Sequence, residues 1–307
     1  MAGLLASLLL LFAALAAGSL AAAVLGRECS RAERAGLGLA LGAALLVVSA
    51  HLGALAGALS ASAALPILAL VAFGVVWTRR SAAPVAAGEP NPFAPLALVF
   101  AGAWSLTPIA LRDMPLGWDP AFHTAIVELL RTQGALPATW APYEPFERFN
   151  YPSGLHAAIA LFGRLSGGDS AQLFTVAFVL VGAGALVVLF ALAERFSGSR
   201  TAAAFAVLVY GLTAGWGTLA SHASWGGLPN LTGLLLMMGF WLAVQHPGRA
   251  PWLAAAFLAA ATAFVHHLSF ALLGFSVGCL LALELLSERR LSAPARSAFK
   301  SMLLATL

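Results

Sequence analysis

Long apolar runs without a single Asp, Glu, Lys or Arg leave this chain few ways to fold. Gly3 to Leu25 and Gly36 to Trp77 are two of them. Each is long enough for one or two helices of about 20 residues, and such a helix rises about 30 Å, the thickness of a bilayer's hydrocarbon core. The chain is 61% hydrophobic and 9% charged, whereas soluble domains carry about 25% charged residues. That composition excludes an ordinary soluble domain. No alternating segment of about ten residues repeats along the chain, which argues against a transmembrane β-barrel. The reading is an all-α protein, a polytopic transmembrane helix bundle forming one integral membrane domain over residues 1–307.

Apolar runs place spans at 3–25, 36–58, 62–77, 93–111, 169–193, 201–219, 229–245, 251–265 and 268–286, about nine complete spans, with the start of a tenth near Ser301. The chain stops a few residues into that tenth run, an ending that suggests a C-terminal truncation beyond which further spans or a soluble domain would lie. The first run has no basic residue before it and three arginines after it, Arg27, Arg31 and Arg34, so it reads as a retained span and not a cleaved signal peptide. Ala82 to Pro92 reads as a flexible cytoplasmic linker. Cys29 and Cys279 are too far apart to suggest a disulfide and lack metal-ligand spacing.

The connectors alternate in charge. Arg27, Arg31 and Arg34, then Arg79 and Arg80, then Arg195 and Arg200, then Arg249, then Arg289, Arg290, Arg296 and Lys300 fall on one side if the spans alternate, which accounts for twelve of the 16 basic residues. Placing that side in the cytoplasm follows the positive-inside rule. The formal charge of +4 is therefore topology and does not imply a nucleic-acid partner. The long polar loop at 113–168, with the remaining Arg112, Arg131, Arg148 and Arg164 in or beside it, then faces away from the cytoplasm across a plasma membrane. Leu155 to Leu165 is apolar but too short to cross, so it is expected as a helix lying at the membrane surface or dipping into it. Five of the 7 histidines, His123, His156, His222, His266 and His267, also fall on the outer side, His51 sits near the outer end of its span, and His246 falls inside.

Four stretches on that outer side carry the chemistry. Asp119-Pro120 opens an amphipathic helix, and Asp119 and His123, four residues apart, share one of its faces. Asp119 either caps that helix or works as a proton acceptor or ion ligand with His123 beside it, and one residue can do both. Ala141 to His156 is dense in aromatics, prolines and charge, including Arg148, Tyr151 and His156; it reads as an interfacial aromatic belt or as a sugar-contacting lid. Ser221 to Asn230 contains His222, Trp225 and two glycines and puts Asn230 at a helix start, where free amides attract an anion; a plain turn is the competing reading. His266-His267 breaks the apolar stretch Pro251 to Leu286 into two short helices. These histidines suit phosphate contact or metal ligation, or simply a tight outer turn. No H-E-x-x-H, Walker or dinucleotide-binding motif is present.

Taken in order, W-D-P-A-F-H at Trp118 to His123, G-A-L-P at Gly134 to Pro137, F-N-Y-P-S-G-L-H at Phe149 to His156 and W-G-G-L-P-N at Trp225 to Asn230 resemble membrane glycosyltransferases of the GT-C fold, especially their uncharacterised bacterial and archaeal branches. The resemblance covers Arg112 to His267. It implies transfer of a sugar from a polyprenyl-phosphate donor to an acceptor at the extracytoplasmic face, with membrane lipid as surroundings and the acceptor unknown. It also implies that Asp119 is the acidic residue acting as general base or holding a divalent metal such as Mg or Mn, with His123 beside it. Arg131, Arg148, Tyr151, His156, His222, Trp225, Asn230, His266 and His267 are the candidates for contact with the anionic donor and its sugar. The competing expectations are a membrane transporter, a lipid-binding protein, or a non-catalytic subunit of an envelope assembly.

Overall fold

The computed structural model describes residues 2–25, 29–78, 91–112, 119–143, 147–213, 218–225, 227–245 and 251–306. Arg27, Arg79, Arg80, most of the 82–92 linker, Gly117, Trp118, Glu144, Gly226, His246 and Arg249 lie outside them. The described residues are mostly helical and contain no strand. In chain order they form α1 (Ala2–Leu25), α2 (Arg31–Leu55), a short 3-10 turn (Leu59–Ala63), α3 (Ala64–Thr78), α4 (Phe93–Ala110), α5 (Asp119–Gln133), α6 (Gly154–Ser166), α7 (Ser170–Ser197), α8 (Arg200–Leu212), α9 (Leu219–Trp225), α10 (Leu228–Val244), α11 (Pro251–Val265), α12 (His267–Glu288) and α13 (Ala293–Thr306).

Among the described residues, six helices are long and apolar enough to cross a membrane: α1, α2, the 3-10 turn continued by α3, α4, α7 and α12. The helices at the other three expected spans, α8, α10 and α11, are shorter, at 13, 17 and 15 residues. The run read as 201–219 stops as helix at Leu212, and a separate helix, α9, occupies ground expected to be loop. The stretch from Pro251 to Leu286 breaks at His266 as expected, but unevenly, because α12 with 22 residues is a full-length span by itself. The helix expected from Ser301 starts at Ala293 and carries Arg296 and Lys300. It docks through Ala295, Ala298 and Ser301, whose hydroxyl donates to the Trp252 carbonyl at 3.0 Å.

α2 is the central pillar, touching α1, α6, α7, α10 and α11. Its contact with α1 depends on small residues: a side chain on Gly18 would strike the Gly38 carbonyl and the backbone of Gly42. This is how helices approach closely where apolar surroundings provide no hydrophobic drive between them. α3 and α12 lie at the periphery with large apolar side chains outward, among them Ile67, Leu68, Phe275 and Leu283.

The two ends of the bundle differ. At one end, α2, α7, α8 and α10 are joined by polar contacts. Ser30 and Glu33 form a capping box at the start of α2. The Ser30 hydroxyl donates to Glu194 Oε2 at 3.2 Å, Arg200 Nε donates to Glu194 Oε1 at 2.7 Å, and Arg195 lies 3.5 Å from Glu33 while donating to the Gln245 carbonyl at 2.8 Å. At the opposite end lie the finish of α2, the starts of α6 and α7, and α5. There the Leu59 amide donates to the Gly134 carbonyl and the Leu136 amide to the Ala54 carbonyl, which ties the polar segment to the α2–α3 turn.

Candidate functional site

α5 forms where the amphipathic pattern predicts, burying Pro120, His123, Ile126, Val127, Leu129 and Leu130 on one face. Asp119 is its first residue, and its carboxylate contacts His123 Nε2 at 3.3 Å; the Asp119 side chain is 28% exposed and that of His123 only 4%. No capping bond from this carboxylate to a first-turn amide is present among the described residues, so its geometry serves the histidine.

α6 packs inside the bundle. Nine of its 13 residues, including His156, are buried among α1, α2, α5 and α7. A methyl group on Gly154 would come within 2.8 Å of both the Phe264 carbonyl and Val47 Cγ1, so a glycine is needed for α6 to begin against α2 and α11. Ser153, at the N-cap position, makes no capping bond; its hydroxyl lies 3.4 Å from His51 Nδ1, and His51 stacks on Phe264 at 4.4 Å. This seating delivers His156 Nε2 to within 3.0 Å of His123 Nδ1. The result is a continuous run, Asp119 to His123 to His156, leading from a partly exposed carboxylate to a wholly buried ring.

Aromatic rings enclose the run. Tyr151 lies 5.7 Å from His123 and 5.4 Å from His156, and Phe174 of α7 stacks on His123 at 5.9 Å. Phe122 stacks on Trp140 at 5.0 Å, and Trp140 packs on Phe149 at 4.7 Å. The Trp140 indole N–H donates to the Arg148 carbonyl at 3.0 Å, so the aromatic loop folds back as a cover. Burial and then the Asp119 charge push the Tyr151 hydroxyl up to about 12. Burial first, and then His123, push His156 well below the usual histidine range. Both groups are neutral at physiological pH.

His266 joins from the far side of the sequence. It caps α12: its Nδ1 accepts from the Ser269 amide at 3.3 Å and lies 2.9 Å from the Ser269 hydroxyl, which is also 3.4 Å from Asn230 Oδ1. An amide hydrogen directed at Nδ1 leaves the ring hydrogen on Nε2. Burial, then the nearby His123 and His267 rings, push His266 below its ordinary value, while Asp119 pulls it up. The ring thus sits within electrostatic reach of the Asp119–His123 pair.

The other expected site residues go elsewhere. Arg131 holds Glu128 with two bonds, at 2.7 and 2.6 Å, and Glu128 also accepts from the Ser170 hydroxyl at 2.7 Å. Arg131 therefore clamps α5 to the start of α7. Arg148 is exposed and contributes its carbonyl to the aromatic cover. His222 is buried within α9, donating from Nδ1 to the Thr218 carbonyl at 2.8 Å with its ring 5.8 Å from Trp225, and Trp225 is itself exposed. His267 is exposed beside His266. His51, Ser153, Trp140, Phe174 and Ser269 were missed as site residues. A lone histidine near the end of an apolar run was the only available signal for His51, and nothing local marks the others.

Among the described residues the donor set does not fit a divalent metal. Asp119 supplies one carboxylate, the His123 nitrogens are turned to Asp119 and His156, and no group of three His, Cys, Asp or Glu side chains converges among the described residues. Neither cysteine forms a disulfide among the described residues; Cys29 is buried and Cys279 exposed. What the arrangement can do is accept a proton at Asp119 and offer a neutral N–H from His266. Comparison with known proteins finds no matching family model, no similar curated protein and no similar solved structure.

Proposed function

We propose that this chain is an integral membrane glycosyltransferase of the GT-C type, transferring a sugar from a polyprenyl-phosphate donor to an acceptor hydroxyl at the extracytoplasmic face of the plasma membrane. In this reading α8, α10 and α11 complete a set of nine spans, and α5, α6 and the aromatic cover form the outer loop. The observation that carries it is the half-sheltered Asp119 carboxylate, which is backed by His123 and His156 and whose charge His266 feels. Asp119 takes the proton from the acceptor hydroxyl as its oxygen attacks the anomeric carbon. The bond from that carbon to the phosphate oxygen breaks, and the lipid phosphate leaves with the electron pair. The His266 Nε2–H is a suitable neutral donor to the departing oxygen. Attack opposite the leaving group inverts the anomeric centre.

The test uses the full chain in lipid nanodiscs with radiolabelled polyprenyl-phosphate sugars and a panel of hydroxylated acceptors. Asp119→Asn is expected to keep the helical content and to lower transfer by at least roughly 100-fold, the scale of a positioned base. Wild-type turnover in that variant removes Asp119 from the mechanism.

A further inference from the structure

His156 contains a bare buried nitrogen. Its ring is 0% exposed, and Nδ1 lies near the Pro152 carbonyl without reaching full hydrogen-bond geometry. Buried polar atoms are normally bonded, so the exception calls for a reason, and the proton positions in the Asp119–His123–His156 run supply one.

Asp119 Oδ2 stands 3.3 Å from His123 Nε2 as an ion-pair contact, and an ionised carboxylate there, which can only accept, favours the hydrogen on Nε2. In a neutral His123, Nδ1 is then a lone pair that needs a donor, and His156 Nε2 stands 3.0 Å away. If His156 Nε2 carries the hydrogen, its own Nδ1 is bare, and this is the atom found without a partner. The reverse arrangement requires an imidazolium at His123 and a hydrogen on His156 Nδ1. That hydrogen would point at the Pro152 carbonyl, which stands near Nδ1 but outside full hydrogen-bond geometry.

We propose that His156 is a positioning residue: its Nε2–H holds His123 in the Nε2–H tautomer, and His123 in turn orients the Asp119 carboxylate. The chemical purpose rests on the transferase reading; the proton arrangement does not. The titratable groups at this end of the bundle include Asp119 and His123 of α5, Tyr151 ahead of α6, His51 of α2 and His266 before α12, with Glu128 and Arg131 of α5 paired to each other. α7 brings the Phe174 ring here, and charges of α2 and α7, Glu33, Glu194 and Arg195 among them, lie at the opposite end. Burial and His123 both disfavour a charge on His156, in keeping with a neutral donor.

The full chain, 15N-labelled at histidine and held in nanodiscs at neutral pH, tests this by two-bond 15N–1H correlation, with signals assigned from His123→Gln and His156→Phe. The expected wild-type result is a hydrogen on Nε2 and none on Nδ1 in both rings. In His156→Phe the single His123 tautomer is expected to give way to a mixture. A hydrogen on His156 Nδ1, or a doubly protonated His123, overturns the proposal, and the wild-type spectrum decides this even if the Phe variant does not fold. In the transfer assay His156→Phe is expected to lower kcat roughly 100-fold with KM unchanged, while His156→Gln, whose amide N–H can replace the ring donor, keeps most of the activity. Equal losses in the two variants also overturn it. The spectrum needs no substrate, so an inactive wild-type protein would count against the transferase reading alone.

Discussion

A histidine with no access to water resists protonation, and His156 makes that cost visible in stability. Its value in the folded chain lies well below the ordinary 6.5, chiefly through burial. Between that ordinary value and the lowered one, the unfolded chain binds a proton that the folded chain does not, so stability rises with pH across the window. The contribution is therefore complete above about pH 6.5 and is lost as pH falls toward the folded value, at about 1.4 kcal/mol for each pH unit. His222 and His266 are shifted in the same direction by burial and add to the slope. Thermal unfolding in nanodiscs from pH 7.5 to 5.0 is expected to show a falling midpoint, with a shallower fall in His156→Phe. An equal slope in both proteins would show that His156 is not buried neutral. At this scale, Asp119 and His123 were legible as a pair because four residues along a helix always bring two side chains to one face.

Among the elements, α6 decides whether the site exists. It is too short to span, at 13 residues and about 20 Å, yet it lies in the middle of the packing because Gly154 lets its first turn meet α2 and α11 directly. Gly154→Val is expected to destabilise the chain by about 1–3 kcal/mol, the usual range for overpacking, and to lower transfer activity by moving His156 away from His123. An unchanged melting point would mean that α6 can shift without loss. α5 illustrates a different limit of sequence reading. Its amphipathic face was clear, but the role of Arg131 was not, because the choice between a free cation and a clamp on Glu128 depends on where Ser170 and α7 arrive.

For the whole molecule, the proposed orientation places Arg148 outside and Arg290 inside. In a Cys29→Ala, Cys279→Ser background, a membrane-impermeant maleimide applied to intact cells is expected to label Arg148→Cys, and to label Arg290→Cys only after permeabilisation. The opposite pattern would invert the topology. The apolar runs were enough to establish a helical chain with spans of membrane length, because the backbone in a hydrocarbon setting must bond within its own helix and the length needed follows from the rise per residue. They also determined the break at His266 and the face shared by Asp119 and His123, since both depend on neighbours within a turn or two. Only the tertiary structure decided that His156, 33 residues away, meets the ring of His123 and that His266 feels the Asp119 charge, while His222 and Arg131 bond elsewhere. Periodicity within a helix says which face a residue occupies but carries no information about which distant helix that face meets. That partner is chosen by close packing, here by glycines that admit one neighbour and by hydrogen bonds that fix one rotation.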